Sequence, residues 1–489
     1  MASLGLIAGS SGRADQHRPA RPLVLGLVAI GLAAVLAGVA TGLGELKGAA
    51  VAIAVPIGLA IYAAPQLGPY LWLVASPLTV GLARGDILPF VRPNEALLLL
   101  ILGAVAFRVV PLVLAGRWRL PPLGRFDLAF GLLLVTGALL PVCIRLGRDL
   151  PLATDDVLYS LVLIKYLLLY ALFRLTITTT AQVRACLVLA IAAAVPVALV
   201  ALLQVNSLFG VPELLARYYD SPFSGGQGAP VTSRGTSTVA SSFGVANLMI
   251  HTASIVSGWM IVYGRPRGLL VAMGTVCLFG VLAAGQFSGI IGIGIAITVT
   301  GFLIGRLRQV MLWSLPALAL GAALLWPVLE QRLSGFERSS GLPQSWEGRI
   351  DNMERFILPE LGTGANWFLG VRPAPRVAAP EWWREYVYIE SGYIWLLWIG
   401  GVPFLVAFLA FAWVGITDFG RTCRTRPDAV GIAALAATTG LSIVTVLMLF
   451  DPHLTMRGGA DLLFPLMALA MLQPAERRDA AAPAERARP

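Results

Sequence analysis

Residues 183–203 read VRACLVLAIAAAVPVALVALL, with one charged side chain, Arg184, at the edge of the run. A helix of this length rises about 30 Å, the thickness of a bilayer's hydrocarbon core. Lipid offers the backbone no hydrogen-bond partners, so such a run crosses as a helix that satisfies its own amides. Outward from it, apolar runs recur at 23–43, 49–64, 66–82, 94–114, 126–144 and 157–173. They continue at 242–263, 268–284, 287–305, 310–328, 391–416, 428–449 and 459–473. Of the 489 residues, 57% are hydrophobic and 13% charged, too little polar surface for a soluble chain of this size. The ten-residue alternation of a membrane β-barrel is missing. The pattern predicts an all-α, polytopic integral membrane protein with about fourteen transmembrane helices.

Residues 1–22 are polar, with Arg13, Arg18 and Arg21, and lead into the apolar run Leu23–Leu43. The small residues Ala37 and Val39 suit a signal peptidase, but the run is longer than a usual signal-peptide core. Retained as a first membrane helix, it leaves 19 Lys/Arg in cytoplasmic segments and 15 in external ones. Seven of the 15 lie in one long loop, which the charge rule discounts. Both termini are then predicted inside. The expected organisation is a cytoplasmic tail (1–22), one membrane domain (23–473) and a disordered Ala/Arg/Glu/Pro-rich cytoplasmic tail (474–489).

The net charge of +10 sits between the apolar runs, where it meets the membrane potential and anionic lipid. No basic stretch is interleaved with aromatics in a soluble domain, so nucleic acid is not an expected partner. Cys143, Cys186, Cys277 and Cys423 show neither metal spacing nor a disulfide pattern. His17, His251 and His453 are too few and too scattered for a multi-histidine metal site. No metal or other cofactor is expected.

Two segments exceed simple connections. Residues 204–241 include Arg217, Tyr218, Tyr219, Asp220 and a Gly/Ser-rich stretch ending in Ser233-Arg234-Gly235-Thr236-Ser237. Residues 329–390 carry Trp346, Trp367, Trp382, Trp383, Tyr386 and Tyr388. Inside this large external loop, Trp346, Ile350, Met353 and Ile357 recur at helical spacing, with Ser345 placed to cap the helix. The amphipathic helix is expected on the membrane surface or over the external mouth. No internal repeat of the kind that builds many transporters is visible.

Lys165 lies mid-run, where a charge serves a function in a polar cavity, pairs with an acidic neighbour or snorkels. His251 reads as an interhelical hydrogen-bonding group, and Gly289, Gly292 and Gly294 as a close-packing face. The tryptophans suit interfacial anchoring, and their faces also suit sugar rings. Arg234 has small and hydroxyl neighbours that permit close approach of an anion, and Arg349 lies on the amphipathic helix. A guanidinium grips phosphate oxygens with two parallel hydrogen bonds. Two at the outer face suit a lipid-linked diphosphate, though each alone reads better as an ordinary loop arginine.

Three motifs resemble the O-antigen ligase and polysaccharide polymerase superfamily of bacterial envelope enzymes. The first is Arg234-Gly235-Thr236-Ser237 followed by Ala246-Asn247. The second is Gly348-Arg349-Ile350 and Phe356, then Phe368-Leu369-Gly370-Val371. The third is Ile389-Glu390-Ser391-Gly392-Tyr393-Ile394-Trp395-Leu396-Leu397 with Gly400-Gly401. The likeness is concentrated in 230–415. At Gln286-Phe287-Ser288-Gly289 the family's usual Ser-Arg lacks its Arg, and Glu390 stands where ligases usually carry His. Both departures point toward a polymerase-like or divergent member.

The resemblance implies glycosyl transfer without a metal at the outer face of the bacterial plasma (inner) membrane. The donor would be a polyprenyl-diphosphate-linked glycan, and the acceptor hydroxyl would belong to another glycan or surface molecule. Arg234 and Arg349 would stabilise the leaving diphosphate, Lys165 and Tyr393 would complete the substrate contacts, and Glu390 would accept the proton. His453, in Asp451-Pro452-His453, is a rival base. The competing expectations are a transporter or flippase for a lipid-linked saccharide and a non-catalytic protein of envelope assembly.

Overall fold

The computed structural model describes residues 46–84, 91–118, 120–219, 234–264, 267–337, 344–379 and 386–472. The expected helix at 23–43, both tails, Ser233, Trp382 and Trp383 lie outside the described residues. The first helices are α1 Leu46–Ala63, α2 Leu67–Thr79, α3 Pro93–Leu114, α4 Arg125–Gly147, α5 Thr154–Thr176 and α6 Thr180–Val205. Next come α7 Val211–Tyr218, α8 Ser242–Val262, α9 Arg267–Ala283, α10 Phe287–Ile304, α11 Leu307–Leu324, α12 Trp326–Glu337 and α13 Gln344–Asn352. The single turns α14 Leu358–Leu361 and α15 Asn366–Leu369 precede strands β1 Arg376–Ala378 and β2 Tyr386–Tyr388. Helices α16 Gly392–Thr425, α17 Ala429–Leu447 and α18 Gly459–Ala470 complete the chain.

Among the described residues, nine helices are long and apolar enough to cross a membrane. Helices α8 and α17 are the innermost, with 83% of their apolar windows buried, whereas α3 and α11 have 22%. The outer helix faces present Phe107, Leu114, Phe302, Leu312 and Trp413. Hydrocarbon accommodates such a surface, and water does not. The chain is an all-α membrane protein.

Every apolar run from 49–64 onward coincides with a helix, the largest difference being α16, which continues to Thr425. The face at Gly289 and Gly292 packs as expected. A side chain at Gly292 would meet Ile250 of α8, and one at Gly289 would meet Val281 and Ala246. Gly294 faces open space.

Among the described residues, four helices begin with the same device. A carboxylate three residues into the helix accepts the backbone N–H of the residue before it. The pairs are Glu95 with Arg92, Asp127 with Gly124, Asp156 with Ala153 and Asp461 with Gly458, at 2.7–3.1 Å. The free amides and dipole of a helix N-terminus favour such a group. Each carboxylate also meets a cation: Arg84, Arg174, Arg372 and Lys165 respectively.

Asp156 clamps the large loop onto the bundle. It is fully buried and accepts Nε and Nη2 of Arg372 at 2.9 and 3.1 Å, and the Ala374 amide at 3.1 Å. Helix α16 is broken at Gly401, whose φ of 63° and ψ of −160° suit glycine alone. A Cβ there would strike the Phe368 carbonyl of α15. The break frees the carbonyl of Trp398, which accepts the Val371 amide at 2.7 Å. A helix break in an apolar core is tolerated where protein re-satisfies the backbone in this way.

The loop is less purely helical than its pattern predicts, because β1 and β2 pair as an antiparallel ribbon with Arg376 opposite Tyr388. Helix α13 starts at Gln344, so Ser345 lies in its first turn rather than capping it. A π-helical stretch at Met353–Ile357 then shifts the face. Ile357 is buried and Met353 packs on the core, but Ile350 is exposed, and Arg349 takes the inward position beside it.

Candidate functional site

Arg349 joins three segments that are far apart in the chain. Its Nε lies 2.8 Å from Oε2 of Glu390, just ahead of α16. Its Nη1 donates to the Phe450 carbonyl at 3.1 Å and lies 3.5 Å from Oδ2 of Asp451, in the connection between α17 and α18. One turn earlier on α13, Trp346 packs against the Phe450 ring with centroids 5.5 Å apart. These contacts seat α13 over the end of the bundle. A shallow cleft beside them is lined by Arg349, Asn352, Met353, Tyr388, Glu390 and Ile394.

Arg234 reaches the same end by a different route. Residues 235–240, which follow it, are buried inside the bundle. Gln204, at the end of α6, accepts the amides of Thr236 and Ser237 at 2.9 and 2.8 Å. Ser237 donates to the Val197 carbonyl and Thr238 to the Pro77 carbonyl, each at 2.8 Å. A Cβ at Gly235 would press on Ala201 and the Ala283 carbonyl, so the position favours glycine. Burial, and then the neighbouring charge of Arg349, lower the proton affinity of Arg234. Arg234 is therefore within electrostatic reach of Arg349.

Two carboxylates in different surroundings flank Arg349. Glu390 is 40% exposed, whereas Asp451 is 9% exposed. Burial pushes the Asp451 carboxyl up to about 7, with Arg349 opposing the shift and Glu390 adding to it. Behind them, His453 is buried, with its Nδ1 3.0 Å from the Asn247 amide nitrogen of α8. The amide donates in this arrangement, which assigns the imidazole proton to Nε2. Burial, then His251 and Arg349, push His453 down to about 3, so it stays neutral.

The structure thus joins Arg349 directly to Glu390, with Arg234 in electrostatic reach of Arg349 and His453 two residues beyond Asp451. Tyr393 stands next to them, but its hydroxyl donates to the Thr445 carbonyl at 2.8 Å and ties α16 to α17. Lys165 belongs to a different polar group: its Nζ lies 2.9 Å from Oδ1 of Asp461 and 4.9 Å from the Tyr166 ring. His251 is buried on α8, and its Nδ1 has no hydrogen-bond partner among the described residues. Gln286 donates to Ser242 at 2.5 Å and holds the starts of α8 and α10 together.

Sequence reading passed over Asp451 and Gln204. Asp451 is written beside His453, and a carboxylate at the end of an apolar run is the signal that was available. Gln204 follows directly on the run 183–203. Among the described residues, no three His, Cys, Asp or Glu side chains are grouped as metal ligands. Compared with protein-family models and with curated proteins, the chain gives no match.

Proposed function

We propose that the chain is a membrane glycosyltransferase of the polysaccharide polymerase or ligase type. It moves a glycan from a polyprenyl diphosphate to an acceptor hydroxyl at the outer face of the bacterial plasma membrane. The observation that carries this reading is Arg349 set between the carboxylates Glu390 and Asp451 at one end of the bundle, with Arg234 in electrostatic reach. The resemblance of the surrounding motifs supports it, as does the 19-to-8 bias of basic residues in short segments, which puts that end outside. In this topology all fourteen apolar runs cross, and both termini are cytoplasmic. Helix α18, at about 18 Å by its residue count, completes its crossing with flanking residues.

The chemistry follows from the two environments. The paired guanidiniums hold the diphosphate oxygens and stabilise the charge that grows on them as the anomeric C–O bond breaks. The acceptor oxygen forms the new bond to the anomeric carbon, and its proton passes to a carboxylate. Asp451, held near neutrality, is the better proton acceptor. Glu390 orients Arg349 and faces the cleft through which the acceptor arrives. His453, two residues after Asp451, is held by Asn247. The test is glycan chain growth by the purified protein from a defined lipid-linked donor, with movement of intact donor across a vesicle bilayer as the competing result.

A further inference from the structure

Glu390 is 40% exposed and lies outside any helix, yet its Oε2 meets Arg349 at 2.8 Å. Just before it runs β2, one half of a two-stranded ribbon. A lone pair of strands is marginally stable at best in water. What anchors the ribbon therefore decides where Glu390 stands.

The anchor is Asp156, at the start of α5. Its Oδ2 caps that helix by accepting the Ala153 amide at 3.1 Å. Its Oδ1 is committed to the loop, accepting Nε of Arg372 at 2.9 Å and the Ala374 amide at 3.1 Å. Ala374 is fully buried, and its carbonyl accepts Nε1 of Trp398 at 3.1 Å. The next carbonyl, that of Pro375, accepts the Ile389 amide at 3.3 Å, and Glu390 follows directly. Asp156 thus reaches Glu390 through the Ala374 and Ile389 amides. Pro373 and Pro375 fix φ on either side of Ala374, which leaves the segment little slack. Arg376, opposite Tyr388 in the ribbon, meets Asp155 and adds a second tie to the same helix end.

We propose that Asp156 is a positioning residue for the Arg349 site. Through Ala374, Pro375 and Ile389 it fixes Glu390, and Glu390 in turn aims the Arg349 guanidinium. The positioning follows from these contacts, whereas its effect on glycan transfer rests on the proposed function.

A buried carboxylate stripped of its cations is strongly destabilising, so the link is better cut from the loop side. In Arg372→Gln, Asp156 still faces Arg145 at 3.5 Å and still caps α5. Spin labels at the exposed positions Glu354 and Tyr388 of a cysteine-free full chain report the two sides of the Arg349–Glu390 contact. Dipolar EPR in neutral detergent gives a narrow distance distribution for the parent. Arg372→Gln broadens it with normal melting, and Arg372→Lys, which keeps the charge but loses the fork, broadens it less. Arg372→Gln also lowers kcat for glycan growth severalfold, and that loss disappears in a Glu390→Gln background, because both act through one guanidinium. A clamp that serves the fold alone gives losses that multiply. An unchanged distribution in either normally melting variant, or losses that multiply with Glu390→Gln, overturns the positioning role. Broadening in a chain that forms no glycan leaves the positioning standing and removes the proposed function.

Discussion

Nε of Arg349 and Oε2 of Glu390 lie 2.8 Å apart, although 41 positions separate them and Glu390 lies outside any helix. The pairing recasts Glu390. A carboxylate that neutralises and aims a guanidinium is already engaged, and Asp451 on the other side is the group held near neutrality. Replacing Glu390 with Gln therefore lowers turnover less than tenfold, whereas Asp451→Asn lowers it by about 10²–10⁴, the usual contribution of a positioned acid or base. Initial rates of glycan growth at matched membrane levels check this. Equal losses in the two variants contradict the division of roles.

The pH profile supplies an independent test. A proton acceptor works when deprotonated, so with the Asp451 carboxyl at about 7 the rate climbs as pH passes from about 6 to 8. In Asp451→Asn the residual rate loses that limb. A parent profile that is flat through this range removes Asp451 from the mechanism.

Arg234→Lys and Arg349→Lys keep the charge but lose the planar fork that engages two phosphate oxygens. Each lowers kcat/KM by more than about tenfold, equivalent to 1.4 kcal/mol of transition-state stabilisation. Wild-type turnover and donor affinity in both variants argue against the diphosphate role.

The apolar runs were legible because lipid imposes one rule on every residue of a segment, and that rule is local. The Gly400-Gly401 and Phe368–Val371 motifs were legible as likenesses, but their cause was not. Gly401 bends α16 around the Phe368 carbonyl, and Val371 takes up the Trp398 carbonyl that the bend frees. Neither contact leaves a periodicity to read. Asp451 was hidden for a related reason, since its significance depends on Arg349, about 100 positions earlier. Lys165 was visible as a charge in an apolar run, but its partner, Asp461, comes from a helix nearly 300 residues later. The face of α13 was misjudged because helical spacing carries no sign of the π-helical shift at Met353–Ile357.

Gly401→Ala forces a side chain into a backbone region that costs about 1–3 kcal/mol, besides its collision with Phe368. The variant melts below the parent in detergent, and protease cuts the 358–379 segment faster. Unchanged melting and cleavage show that the loop is held without this junction.

Orientation is tested by cysteines at the exposed positions Thr363 and Thr425 in a cysteine-free background. An impermeant maleimide added to intact cells labels Thr363→Cys and spares Thr425→Cys. The reverse pattern places the Arg349 site inside the cell and removes outer-face chemistry.

The most direct test of the central claim counts polyprenyl diphosphate released per glycosidic bond formed, with purified protein in vesicles and a defined lipid-linked donor. Transfer through the Arg234–Arg349 site predicts one release for each bond in the parent, and neither product nor release above background in the double variant Arg234→Lys/Arg349→Lys. Intact donor that crosses the bilayer with no release, or release that persists unchanged in the double variant, contradicts it.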